Sequence, residues 1–384
     1  MKNFNVLLLA STALAAVNFA SAQIWTQTAA PTNLWYAAAS SADGSKLVVA
    51  AGGTASSGPI FTSTNGGADW SSNAAPSLHW TSVAASADGR RLTAVADGGS
   101  IYTSADSGVT WSTNSVPSSG WLSIASSADG LKLAAVAFGN RVYLSTNGGA
   151  TWTSNTTPVA DLQRISGSAD GTRLVAGNNV GAIIFSTNSG ATWTISSNSL
   201  SRAVIALAAS ANGGKVFAIN AAPGIYASAN GGKTWALSGA PSISSWIGIA
   251  VSADGARLVA VSQKGGIYSS TDSGTSWVLN SAPQSVWQAV ATSADGCKSV
   301  AVRWNDGIWT SQSTPAAQVN LSPKNGRLMF SWTVPSTNFV VQQSPDLGGW
   351  TDVTNAPVLN LTNLQNEVTL PMAGSSGFYR LMTP

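Results

Sequence analysis

Acid–base, metal and nucleophilic chemistry each need particular side chains close together, and this chain holds few of them. Its 384 residues include one histidine, His79, and one cysteine, Cys297. That composition argues against a multi-histidine metal site and a histidine-based triad, and a lone cysteine forms no internal disulfide. No metal and no cofactor is expected. His79 reads as a solvated loop residue, and Cys297, in the turn Asp295-Gly-Cys-Lys298, as a surface thiol. The only glutamate is Glu367, near the C-terminus. Most aspartates fall in repeated motifs; within 23–312 only Asp97, Asp161 and Asp306 do not. Two carboxylates facing each other across a cleft could hydrolyse a glycosidic bond, so these three are the candidate catalytic residues. Their plainer reading is as turn formers, as in Asn305-Asp-Gly307. Lysine and arginine number 18 against 15 acids, a net charge of +3 with no basic run to hold a phosphate backbone. That excludes nucleic acid as the partner.

The elements that must position these residues repeat. Ser-Ala-Asp-Gly starts at Ser41, Ser86, Ser127, Ser168, Ser252 and Ser293, with Ser-Ala-Asn-Gly at Ser210, so the copies lie 41 to 45 residues apart. A second element follows the first six: STNGGADW from 63, SADSGVTW from 104, STNGGATW from 145, STNSGATW from 186, SANGGKTW from 228 and STDSGTSW from 270. Between them run short apolar stretches. In one unit these cover 80–84, 92–96, 101–104 and 109–113, each separated by a Gly or Asp turn. Four short strands per unit, with no helical period, fit a propeller blade.

The second element resembles the Asp-box, or bacterial neuraminidase repeat, Ser-x-Asp-x-Gly-x-Thr-Trp. Its third residue (Asn65, Asp106, Asn147, Asn188, Asn230, Asp272) can bond turn amides, and its glycine can take a positive φ. Its last residue (Trp70, Trp111, Trp152, Trp193, Trp235, Trp277) brings a large apolar surface to bury between blades. In families with this box it is structural and lies away from the binding face. The chain resembles a broad group of such propellers: sialidases, xyloglucan hydrolases, sortilin-type receptors and photosystem II assembly factors. A sialidase needs a glutamate, and 23–312 has none, so that activity is not expected.

The unit count predicts an all-β fold: a seven-bladed β-propeller over 23–312. The segment 24–26 reads as a fourth strand without its first three, and 308–311 as a third strand without its fourth. Pairing them closes the ring and leaves no open edge. A linker at 313–317 leads to 318–384, a small β-sandwich with a loose likeness to fibronectin type III tails. Strands are expected there over 328–333, 339–343, 350–353, 367–370 and 378–381. At the other end, Lys2, an uncharged apolar run over 6–17 and Ala20-Ser-Ala22 read as a signal peptide over 1–22, cleaved after Ala22. The apolar run is too short to span a bilayer. The chain is therefore expected to be exported to periplasm, cell surface or medium, with no transmembrane segment, as a monomer.

Where the repeat breaks, a site is expected. Trp35, Trp80, Trp121, Trp246 and Trp287 enter five blades, whereas Leu162 and Val204 enter the other two. The tryptophans either pack beneath the rim or form an aromatic ring that stacks on sugars or polypeptide. Around Leu162 and Val204 stand Arg141, Asp161, Arg164 and Arg202, with Trp121 and Trp246 flanking. These six are the expected ligand-binding residues, suited to a carboxylate or an acidic segment. Asp161 paired with Arg164 on an outward-facing strand is the bland version. The function expected is non-enzymatic binding of a protein or glycan through the loop rim. The alternatives are a glycoside hydrolase using the rim aspartates and a structural surface protein.

Overall fold

The computed structural model describes residues 22–384 except 55, 115, 117–118, 140, 244, 314–319, 325–326, 334–339, 346, 372–377 and 383–384. The expected signal peptide, but for its last residue, and most of 313–317 lie outside the described residues. Among these there is no helix.

Seven four-stranded antiparallel sheets follow one another along the chain. Blade one holds Trp35–Ser40, Leu47–Ala51, Ile60–Ser63 and Ser71–Ser72. Blades two to six begin at Trp80–Ala85, Trp121–Ser126, Leu162–Gly167, Val204–Ala209 and Trp246–Val251. Blade seven holds Trp287–Thr292, Lys298–Arg303 and Ile308–Gln312, and its fourth strand is Trp25–Gln27. Trp25 lies opposite Ser311, Thr26 opposite Thr310 and Gln27 opposite Trp309. The first strands of successive blades touch around the whole circle, the seventh returning to the first. The molecule is thus a seven-bladed propeller closed by its N-terminal strand, as the two complementary deficits require.

Each interface between blades holds one apolar cluster, and each cluster is built on the same two residues. One is the residue that enters a first strand: Trp80, Trp121, Leu162, Val204, Trp246, Trp287 or Trp35. The other is a hairpin tryptophan, with Trp25 taking that place in blade seven. The entering tryptophans are buried, and each meets an aromatic ring of its own third strand edge-on, as Trp80 meets Tyr102 at 5.2 Å. Such pairs add about 0.5–1.5 kcal/mol to simple burial.

The eight-residue hairpin shows why its sequence recurs. In blade three the Asn147 side-chain oxygen accepts from the Thr151 amide at 2.9 Å and from the Ser145 hydroxyl at 3.0 Å. The Ser145 hydroxyl accepts from the Gly149 amide at 2.9 Å. Gly149 has φ of 91°, where a side chain would be strained. The Trp152 indole donates to the Gly149 carbonyl at 3.0 Å. The tryptophan precedes the fourth strand, Thr153–Thr156, instead of lying in it.

Ser-Ala-Asp-Gly makes a second recurrent device. The Ala42 amide donates to the Ala87 carbonyl, Ala87 to Ala128, Ala128 to Ala169, Ala169 to Ala211, Ala211 to Ala253, Ala253 to Ala294, and Ala294 back to Ala42, at 2.6–2.9 Å. This closed annulus surrounds one mouth of the central channel. Five residues after each serine stands a cation: Lys46, Arg91, Lys132, Arg173, Lys215, Arg257 or Lys298. Its aliphatic stem lies on the turn glycine of the next blade; a methyl on Gly89 would come within 2.8 Å of Lys46. These seven cations are inter-blade packing, a role the sequence reading did not assign them.

The tail forms two sheets around one core. One runs Asn320–Lys324, Arg327–Thr333, Gln365–Pro371, Val358–Asn360, and the other Thr351–Asp352, Val340–Ser344, Phe378–Met382. Phe330, Trp332, Val341 and Val368 are buried between them. Leu359 and Leu364 pack against Ala42 and Ala294, so the tail sits on the annulus, and Leu364 lines that mouth of the channel.

Candidate binding rim and channel

The opposite end of the ring is made of loops. In every blade the amide following the second strand donates to the carbonyl preceding the first: Gly52 to Leu34, Asp97 to His79, Phe138 to Gly120, Asn179 to Asp161, Ala221 to Ala203, Gln263 to Ser245 and Trp304 to Val286, at 2.9–3.2 Å. These bonds put the fourth-to-first and second-to-third loops on one rim, where Asp97, Asp161 and Asp306 all lie.

Among the described residues no hydrogen bond joins any two of the three aspartates. They belong to blades two, four and seven, and no two of those blades are neighbours. Asp306 is committed to Arg303 at 2.7 Å, and it accepts from the Gly307 amide at 2.7 Å. Arg303 in turn lies over the Trp287 and Trp309 rings, with centroids 5.6 and 6.0 Å away. Asp306 is a turn residue held by an ion pair. His79 is half-buried and lends its carbonyl to the rim ladder.

Of the six expected binding residues, Trp121 and Trp246 are 0% and 4% exposed. They cannot meet a ligand without dismantling an interface. The aromatic-ring reading of the entry tryptophans fails for the same reason, because a side chain that fills the blade interface has no face left for solvent. Arg141, Asp161 and Arg202 are exposed. Arg141 donates to the Ser154 hydroxyl at 3.0 Å. Asp161 does not pair with Arg164: the ion pairs among the described residues are Arg303–Asp306 and Lys324–Glu367. Cys297 is a correction of another kind. It is 3% exposed, not a surface thiol, because the Ser313 amide and hydroxyl close over its carbonyl, and burial pushes its pKa up to about 11.

Two apolar residues missed by the sequence reading join the charged ones. Phe138 is 61% and Val180 67% exposed. Their loops are tied together through Asp161, whose amide donates to Gly139 at 2.7 Å while its carbonyl takes the Asn179 amide. Gly181 then lies against the Arg202 carbonyl, so close that a methyl there would come within 2.6 Å of it. Phe138, Arg141, Asp161, Val180 and Arg202 therefore stand exposed on adjoining loops and strand ends of blades three to five. The signal available in sequence was weak: the equivalent position carries Gly52, Asp97, Asn179, Ala221, Gln263 and Trp304 in the other blades, so an aromatic there is not peculiar to Phe138.

Arg164 goes elsewhere. Each first strand has a bulge at its second residue, which turns the third residue into the channel. That residue is Ala37, Ser82, Ser123, Ala206, Gly248 or Ala289 on six blades and Arg164 on blade four, all lining one axial cavity of about 150 Å³. The Arg164 Nε donates to the Ile205 carbonyl at 2.6 Å and its Nη1 to the Gln163 carbonyl at 2.8 Å. Burial lowers its pKa from the ordinary value, and the Tyr36 phenol opposes that shift.

No protein-family model matches the chain, and no curated protein matches it. Solved structures do. YCF48 from Cyanidioschyzon merolae is 15% identical, with a TM-score of 0.58 over 76% of this chain and 99% of that one. YCF48 bound to D1 peptide is 14% identical, with a TM-score of 0.57 over 76% of this chain and 97% of that one. At such identity the likeness bears on the fold alone, and the fold it shares with this chain is the β-propeller.

Proposed function

We propose that this is an exported, non-enzymatic propeller that binds a polypeptide on its loop rim, with Phe138, Val180, Arg141, Asp161 and Arg202 as the contact patch. The observation that carries the reading is the patch itself. Two large apolar side chains stand exposed between charged ones in a chain that is only 9% charged. Exposed apolar anchors rimmed by charge suit a protein partner better than a sugar. The YCF48 likeness supports the reading, since one of those structures holds a D1 peptide. On this reading the eight-residue hairpins are Asp-boxes with a structural role. The signal peptide over 1–22 gives the export route.

The test uses a tiled array of 15-residue peptides from unrelated proteins alongside a glycan array. Peptides should be retained and glycans not. Phe138→Ala with Arg202→Ala should weaken retained peptides by about 2–4 kcal/mol, as for paired hot-spot losses. Arg90→Ala, on the opposite face, and Lys264→Ala, on the same rim at blade six, should change little. Arg91 is unsuitable as a control because its stem packs on Gly130. Reducing-sugar release from polysaccharides, lost in Asp97→Asn or Asp161→Asn, would replace this reading with the hydrolase.

A further inference from the structure

We propose that the channel behind the rim is a carboxylate-binding subsite, in which Arg164 takes a carboxylate carried by the polypeptide seated on the rim. The proposal rests on the polypeptide-binding reading, and its first experimental arm is independent of it.

Six blades place nothing larger than serine at the third position of the first strand, and blade four places an arginine. The space left by the six is the cavity the arginine enters. Two of its five N–H groups are held by carbonyls of Gln163 and Ile205. The other three have no acceptor among the described residues, and no carboxylate lies within ion-pair distance. Arg164 is half-buried on the channel wall, and a cation in a confined space with no counter-charge is poised to take an anion. Further donors converge there. The Ser82 oxygen accepts from the Ile124 amide at 3.3 Å, which leaves its proton to give. The Gln288 oxygen accepts from Gln263 at 3.3 Å, which leaves its amide N–H groups. Both residues line the cavity, on blades two and seven. The far mouth holds Leu364 within the alanine annulus, so entry is from the rim. A guanidinium anchored by two backbone bonds presents its remaining edge in a fixed plane, which matches the two oxygens of a carboxylate.

Acetate is the first probe, followed by the carboxyl-carbon linewidth of labelled acetate on the full chain, with acetamide as the neutral isostere. Acetate should bind and acetamide should not. Arg164→Met should abolish acetate binding without lowering the thermal midpoint, because it removes an uncompensated charge; Arg164→Lys should keep part of the binding. No acetate binding up to about 100 mM, or equal binding in Arg164→Met, overturns the subsite. The second probe is a hexapeptide library free of Asp and Glu, made with free and with amidated C-termini. Wild type should prefer the free acids by about tenfold and Arg164→Met should show no preference. Equal retention of both forms by wild type overturns the C-terminal source; an Asp/Glu-containing amidated library retained in an Arg164-dependent way then assigns the carboxylate to a side chain. Acetate binding with no peptide retained from any library overturns the polypeptide reading and leaves the anion subsite standing.

Discussion

Single residues in this propeller are governed by their turns. Cys297 sits in one, yet its thiol is buried, with a pKa pushed up to about 11 by burial and by Asp295. At pH 8 almost none of it is thiolate, so labelling by a disulfide reagent should be at least about a hundredfold slower in the native protein than in denaturant. The raised pKa also fixes a sign. The thiol's contribution to stability is whole below pH 9 and is lost as pH rises toward 11, where only the unfolded chain ionises freely. Asp106 behaves oppositely. The hydroxyl and amide of Thr110, then the Ser104 hydroxyl, hold its carboxyl at about 2. Its contribution is present above the ordinary value of 3.8 and is lost as pH falls toward 2. Asn fills this position in four sister hairpins, so Asp106→Asn should fold normally and flatten that acid loss, as read from unfolding midpoints between pH 2 and 5. Asp161 has φ of 57°. Asp161→Gly should keep stability within about 1 kcal/mol, whereas Asp161→Val should lose more, because a β-branched residue is badly strained there.

At the scale of the strand and hairpin, each device does one job. Asn147→Ala removes an acceptor shared by two donors and should cost about 1–2 kcal/mol in chemical denaturation. Trp152 is half-buried, not fully enclosed, so Trp152→Ala should cost about 2–4 kcal/mol, toward the low side for a tryptophan truncation. Neither should alter peptide affinity measured on folded protein. These hairpins were legible in sequence because every copy spells out its own hydrogen bonds. The cation five residues after each Ser-Ala-Asp-Gly serine was equally legible by spacing, but its role was not, since it packs on the turn of the next blade, some 40 residues away for six of them and across the ring closure for Lys298 on Gly44. The plainer reading of Arg164, outward on its strand and paired with Asp161, fails for a local reason. Strict alternation points it outward, and the bulge at Gln163 adds one residue and reverses the parity. In the tail, Asn320–Lys324 was missed because Pro323 interrupts its pattern, and Val358–Asn360 because it is only three residues long.

The molecule as a whole is a circle without ends, held at one mouth by the alanine annulus and at one seam by Trp25. Each of the seven annular amides is both fixed by and fixing a neighbour. They should therefore exchange with solvent as a single set, at the rate of global unfolding, in hydrogen-exchange measurements. Trp25 is 4% exposed at the last interface. Trp25→Ala should cost about 3–5 kcal/mol, and deletion of 23–30 should lower the thermal midpoint by roughly 8–15 °C. The seam also has a history in time. Trp25 is among the first residues of the ring to be synthesised, and its partner Ser311 among the last. At the usual pace of translation the ribosome needs roughly 15–60 s to travel between them. Through that interval the Trp25–Gln27 strand has no partner to pair with, and blade seven stays incomplete. A permuted gene that moves 23–30 to follow Gln312 would make the last blade local, and its refolding after dilution from denaturant should outpace the natural order.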